Sequence, residues 1–173
     1  LGLTDATVTD LGDIDHVVHC GAIYDITAAE DRQRAANVEG TASVIGLAAR
    51  LDATLHHLSS IAVAGTYRGV FSEDDFDVAQ NLPTPYHRTK FEAELLVRSA
   101  ERLRFRIYRP GVVVGDSRTG EIDKIDGPYY FFGVLSSLAS LPRFTPMVLP
   151  DTGRTNVVPV DFVVDALVAL MHL

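Results

Sequence analysis

The 173-residue sequence carries a single cysteine, Cys20. An internal disulfide is thereby excluded, and one lone thiol is in keeping with a reducing compartment, so a cytoplasmic protein is expected. No stretch approaches the roughly eighteen consecutive apolar residues that a membrane-crossing helix needs, so no span is predicted. Cations are scarce. Fifteen Lys and Arg stand against 23 Asp and Glu, giving a net charge of −8 and a pI near 5.1. With no basic cluster anywhere, nucleic acid is disfavoured as a partner. Metal ligands are lacking too. Cys20 stands alone, and His56 and His57 are neighbours on a strand, where adjacent side chains point to opposite faces, so no metal site is expected. What remains is an ordinary globular composition, 47% hydrophobic and 22% charged, long enough to bury a core.

Lysine is the scarcest cation, with only Lys90 and Lys124 among the basic residues. One of the two falls four residues after a tyrosine, in Pro85-Tyr86-His87-Arg88-Thr89-Lys90. At the start of a helix that spacing stacks Tyr86 and Lys90 one turn apart on one face. A phenol with a pKa of about 10 is a poor proton carrier near neutrality, and a nearby ammonium is expected to pull it down toward the working range. Upstream, Ser59-Ser60 closes a predicted strand. Ser60 is placed to hold a carbonyl or alcohol oxygen while Tyr86 moves its proton, which is hydride-transfer chemistry. Ser59, one residue earlier on a strand, faces the other side. The competing explanation for the pair is a solvated helix-surface contact worth a few tenths of a kcal/mol.

Along the chain, residues 16–20 read as a short β-branched strand ending at Gly21. Residues 29–51 are predicted helical, with Ala35, Val38, Val44, Ile45, Leu47 and Ala48 recurring at helical spacing. Gly40 interrupts that run, which predicts close packing there. Residues 54–59 form the next strand, 62–85 a loop with an acidic run at 73–77, and 86–103 a second amphipathic helix with Phe91, Ala93, Leu95, Leu96 and Ala100 inward. A third strand covers 105–108, Val112-Val113-Val114 is a further apolar run, 129–141 is predicted helical, and Asp161 is the expected N-cap of a last helix. Alternating strands and helices imply right-handed βαβ crossovers, an α/β fold with a parallel sheet covered on both faces. His19-Cys20-Gly21-Ala22, Ser59-Ser60 and Arg109-Pro110-Gly111 all fall at strand carboxyl ends, where ligands bind in such sheets.

These segments, in order and in register, resemble the extended short-chain dehydrogenase/reductases. His19-Cys20-Gly21-Ala22 is similar to the family's H-x-A-A strand end, with Gly21 in place of the usual first alanine. Asn37-Val38-Glu39-Gly40-Thr41 is similar to the helix carrying the family's catalytic-site asparagine. Ser60-Ile61-Ala62-Val63 resembles its strand-end serine, with Tyr86 following 26 residues later. Residues 108–115 resemble the segment bordering the nicotinamide, and residues 156–161 the one opening the helix before the substrate lobe. Within the family, residues 108–115, 119–121, 126–132 and 156–161 resemble most the thioester and fatty acyl-CoA reductase (male-sterility-like) branch.

The resemblance implies a Rossmann-type doubly wound parallel sheet, here partial. No G-x-x-G-x-x-G turn precedes His16, so the first strands are expected to be missing. Residues 1–173 are read as the central and catalytic part of one NAD(P)-binding domain, with the substrate-lobe region beginning after about residue 115. It further implies Ser60, Tyr86, Lys90 and Asn37 as catalytic residues, Asn37 holding a water or a neighbouring backbone. His19, Gly21, Ala22, Ser59, Tyr86, Lys90, Pro110, Gly111, Val112 and Val113 are the implied cofactor-binding set, with NADP as cofactor and NAD as the alternative. The expected activity is NADPH-dependent reduction of an acyl thioester, free or carrier-bound, to an aldehyde or alcohol. A homodimer, or a place in a larger multidomain protein, goes with it. Two alternatives stay open: an NAD-dependent sugar-nucleotide epimerase, dehydratase or 3β-hydroxysteroid-type dehydrogenase on the same scaffold, and a non-catalytic dinucleotide-sensing domain.

Overall fold

The computed structural model describes residues 2–24, 28–122, 129, 133, 136, 137 and 155–173. It divides into two compact units, Leu1–Pro110 and Gly111–Leu173.

The first unit holds a three-stranded parallel sheet in the order β1 (His16–His19), β2 (Thr54–Leu58), β3 (Phe105–Tyr108). The register sets His19 beside His57, and His57 beside Ile107. Parallel pairing requires helical crossovers. After a short α1 (Asp5–Asp10), the first crossover runs through α2 (Glu30–Arg34), a π-helical turn at Ala35–Glu39 and α3 (Gly40–Arg50). The second contains a 3₁₀ turn at Ile61–Ala64 and α4 (Pro85–Arg98). The core lies where these helices meet the sheet: Val44 and Ala48 of α3, Leu55 of β2 and Val97 of α4 are buried, with Val17, Ile45, Leu103, Phe105 and Ile107 packed around them.

Several expectations need correction. The helix predicted over 29–51 is interrupted by the π turn, an extra residue that shifts the face presented downstream. Ala35 consequently lies exposed. Gly40 is not a close-packing point, because a Cβ there would meet only the Ala35 carbonyl oxygen at an ordinary 3.7 Å. The α4 helix ends at Arg98, short of residue 103. Its buried stripe is Lys90, Ala93, Glu94 and Val97, and Leu95, predicted inward, is 45% exposed. Two polar residues thus occupy positions that an apolar pattern would assign to the core.

The loop at residues 66–82 is pinned at both ends. The Thr66 amide donates to the Asn81 carbonyl at 3.0 Å, and Gln80 Nε2 donates to the Val63 and Phe76 carbonyls, each at 2.7 Å. Gly65 makes the turn possible: at φ +53° an added Cβ would stand 2.2 Å from the Asn81 oxygen, a conformation and a contact that only glycine accommodates.

In the second unit, β4 (Val112–Val114) pairs in parallel with β5 (Val157–Pro159), and α5 (Val160–Met171) follows. Gly111 is where the two segments approach: a Cβ would lie 2.5 Å from the Asn156 carbonyl oxygen, which accepts from the Val112 amide. Asp161 does not cap α5. It sits in the first turn behind Pro159, and its carboxylate accepts from the Ser117 amide and hydroxyl at 3.0 and 2.6 Å. The helix predicted over 129–141 lies almost wholly outside the described residues.

Candidate active site

The carboxyl end of β2 divides its two serines. Ser59 is buried and its hydroxyl donates to Glu94 Oε2 at 2.6 Å. Ser60 opens the 3₁₀ turn, accepting from the Ala62 amide, and its side chain reaches the Tyr86 phenol closely enough to oppose the upward shift of its pKa. Alternation along an extended chain produces this split. Of the two, Ser60 meets the acid candidate, while the Ser59 hydroxyl, expected among the cofactor contacts, is committed to Glu94.

Tyr86 is carried by the first turn of α4, whose start is set by the Thr84 cap and by Pro85 at the first helical position. Lys90 follows one turn later, 4% exposed, and its ammonium donates to the Leu58 carbonyl at 2.8 Å. Tyr86 and Lys90 thus both reach the end of β2. The expected electrostatics do not hold, however. Burial pushes the Tyr86 phenol above its ordinary value, with Ser60 acting the other way, and Lys90 is not among the causes. Lys90 itself is pushed down to about 8 by burial, against opposing pulls from Glu94 and Cys20. Desolvation of both groups outweighs the attraction that the sequence spacing implied.

Asn37 is 1% exposed within the π turn. Its Oδ1 accepts from the Ile23 amide at 2.7 Å, and its Nδ2 donates to the Ile23 carbonyl and to Thr89 Oγ1, each at 3.0 Å. A two-point clasp of the Ile23 backbone fixes the amide orientation and ties the segment after β1 to α4 beside Lys90. His19 is placed from below. Its Nε2 lies 3.0 Å from Thr41 Oγ1, which donates to the Asn37 carbonyl at 2.6 Å. With that hydroxyl proton spent, His19 must carry hydrogen on Nε2. Gly21 lies over the ring, where a Cβ would come within 3.3 Å of His19 Cε1, so an alanine at this position requires the ring to give. Ala22 is half-buried in the same segment, and Cys20 is exposed. Pro110 ends the first unit at β3, its carbonyl accepting from the Ile61 amide at 3.1 Å. Gly111, Val112 and Val113 belong to the second unit.

Sequence reasoning missed Glu94. It is fully buried, and it gathers Ser59, Arg98 (2.8 Å) and Arg109, whose Nη2 approaches to 2.6 Å. Burial works to raise this carboxyl, but hydrogen bonds from Arg109, Ser59 and Arg98 outweigh it and hold it below its ordinary value. Arg109 also donates to the Ser72 carbonyl and lies over Phe71, while Arg98 lies over Phe76, which stacks on Phe91 at 4.4 Å. The signal was available: Glu94 stands one turn beyond Lys90, on the stripe that begins with Tyr86.

Residues 1–167 match the NAD-binding family described as male sterility protein. The chain belongs to this family. A non-canonical nonribosomal peptide synthetase of Aspergillus hancockii is 31% identical over 97% of the chain, which spans 17% of that protein. The L-2-aminoadipate reductase of Saccharomyces cerevisiae is 31% identical over 97% of the chain, which spans 13% of it. Among solved structures, the terminal R domain of the myxalamid PKS-NRPS pathway superimposes with a TM-score of 0.80 at 30% identity, over 99% of this chain and 44% of that one. The chain is therefore a minor part of the length of the relatives it matches. The family's Rossmann-like α/β fold agrees with the parallel sheet of the first unit.

The residues at the end of β2 fit the nicotinamide end of such a cofactor. Lys90 has three ammonium hydrogens and spends one on Leu58, which leaves donors for ribose hydroxyls. Its buried charge is costly to the fold. Between pH 8 and 10.5 the unfolded chain holds the Lys90 proton more tightly than the folded one, so stability rises with pH by up to about 3 kcal/mol. Lys90→Met is therefore expected to be about 1–2 kcal/mol more stable at neutral pH, after the lost Leu58 hydrogen bond is subtracted, and to lack that alkaline rise. Denaturant unfolding at pH 7 and pH 10 checks both; a less stable variant refutes the argument.

Proposed function

We propose that this chain is the central and catalytic part of an NADPH-dependent reductase that takes an acyl thioester to an aldehyde or alcohol. The observation that carries it is the meeting of Ser60 and Tyr86 at the carboxyl end of β2, with Lys90 one turn away. The likeness to a nonribosomal peptide synthetase and to a terminal R domain favours a carrier-bound acyl group as substrate.

A reduced nicotinamide, when bound, supplies the hydride. Ser60 holds the carbonyl oxygen and stabilises its developing charge, an oxyanion-hole role. Tyr86, kept protonated by burial, gives its proton to that oxygen. Lys90 donates from its ammonium to the cofactor ribose, and Asn37 keeps the segment after β1 in place through Ile23. Collapse of the resulting hemithioacetal releases thiol and aldehyde. Ser60, Tyr86 and Lys90 together favour an enzyme over a dinucleotide sensor, which has no use for a proton donor.

The test is oxidation of NADPH by the full-length protein in the presence of a long-chain acyl-CoA and of a carrier-bound acyl thioester, run beside NADH. Thioester-dependent consumption, faster with NADPH, is expected. Cofactor binding without thioester turnover overturns the substrate class and brings sugar nucleotides and hydroxysteroids forward.

A further inference from the structure

Three elements must keep their relative places for the proposed chemistry: the end of β2, which presents Ser60; the first turns of α4, which present Tyr86 and Lys90; and the end of β3, which leads into Pro110. One side chain touches all three. Glu94 is part of α4, accepts from Ser59 immediately before Ser60, and is clasped by Arg109 immediately before Pro110. A wholly buried carboxylate is tolerated only when such partners satisfy it, and here every partner named belongs to the site's framework or to the loop beside it.

We propose that Glu94 is the positioning residue of this active site, one buried carboxylate that fixes the ends of β2 and β3 against α4 and so sets where Ser60 and Lys90 stand. The proposal rests on Ser60, Tyr86 and Lys90 forming the reducing site. Two consequences separate it from a plain stabilising salt bridge. Geometrically, loss of the link through Ser59 displaces the neighbouring Ser60 hydroxyl from Tyr86. Electrostatically, Glu94 is the negative charge one turn from Lys90 and sustains its ammonium against burial. The other groups facing Lys90 are His19 on β1, His57 on β2 and Cys20 after β1. Neutral histidines supply no counter-charge, and of the two groups that favour the ammonium Glu94 acts more strongly than Cys20.

The experiment compares wild type, Glu94→Gln, Glu94→Asp, Ser59→Ala and Tyr86→Phe in the full-length protein. Two readouts are taken: kcat and KM with NADPH and acyl-CoA, and the titration of the isotope-labelled lysine resonance that vanishes in Lys90→Arg. Glu94→Gln is expected to lower kcat by about 10–100-fold with a much smaller change in KM. It is also expected to move the Lys90 midpoint down by about one pH unit or more. Glu94→Asp should restore the midpoint, because it keeps the charge. A folded Glu94→Gln with wild-type kcat and an unmoved Lys90 titration overturns the proposal. If Glu94→Gln fails to fold, Ser59→Ala decides, since it removes only the hydroxyl link: a fall in kcat of several-fold or more supports the proposal and an unchanged kcat overturns it. The lysine titration needs no turnover. A wild type without thioester activity, or an active Tyr86→Phe, therefore refutes the proposed function while the titration still judges Glu94.

Discussion

Tyr86→Phe is expected to lower kcat by about 10²–10⁴-fold, the usual contribution of a positioned acid. The substitution removes one oxygen and little else. The ring stays against His87, with centroids 6.1 Å apart, and the Thr84 cap and Pro85 still start the helix. What is lost is the hydroxyl that meets Ser60 and supplies the proton. Because that proton matters as charge develops on the substrate oxygen, the loss should fall on kcat rather than KM. The residual rate comes from Ser60 and from orientation of the substrate. The pH dependence carries a further sign. Burial raises the Tyr86 phenol, so it stays protonated through neutrality, and the first group to titrate on the alkaline side is Lys90, at about 8. Reduction should therefore decline with an apparent pKa near 8 in the wild type. Steady-state rates across pH 6–10 check both statements. A Tyr86→Phe enzyme that keeps more than about a tenth of the rate is not missing its acid.

The second large effect concerns stability. His57 is 1% exposed on β2, and neither ring nitrogen has a hydrogen-bond partner. Its ring lies 5.4 Å from that of His19. Burial, then Lys90 and His19, push its pKa from 6.5 to about 3, with Glu94 opposing. The unfolded chain binds this proton below pH 6.5 and the folded chain does not, so the stabilising difference is complete above pH 6.5 and is lost as pH falls toward 3. At about 1.4 kcal/mol per unit the loss reaches about 4–5 kcal/mol, or proceeds until the fold is gone. His57→Leu should flatten that acid limb by a similar amount. It should cost little at pH 7, because no hydrogen bond is removed and an unpaired polar ring is replaced by an apolar side chain. Urea unfolding at pH 7, 5 and 4 measures it. Identical acid limbs in the two proteins refute the assignment.

Much of the framework was legible along the chain because it is local. Strands β1, β2 and β3 are short runs bounded by turn residues, and their boundaries were read to within one residue. The spacing of Tyr86 and Lys90 is a property of a single helix, while the Thr84 cap that starts α4 was not read from the sequence. The opposite facing of Ser59 and Ser60 follows from alternation alone. The π turn was not legible. It adds one residue to a helix without a change in composition, and the Asn37 it carries is clasped to Ile23 and Thr89, residues 14 and 52 positions away.

The sequence by itself determined the α/β order of elements, the family, and which side chains stand at the carboxyl ends of the strands, since these depend on periodicity and on the order of motifs. Only the tertiary structure decided how those side chains behave. Lys90 gives one hydrogen to Leu58 and does not lower Tyr86, burial shifts the phenol up rather than down, and Glu94 is drawn into the core by Arg98, Arg109 and Ser59. The reason is physical. Desolvation and buried charge pairing depend on how completely distant segments exclude water from a group, and no spacing along a single helix carries that quantity.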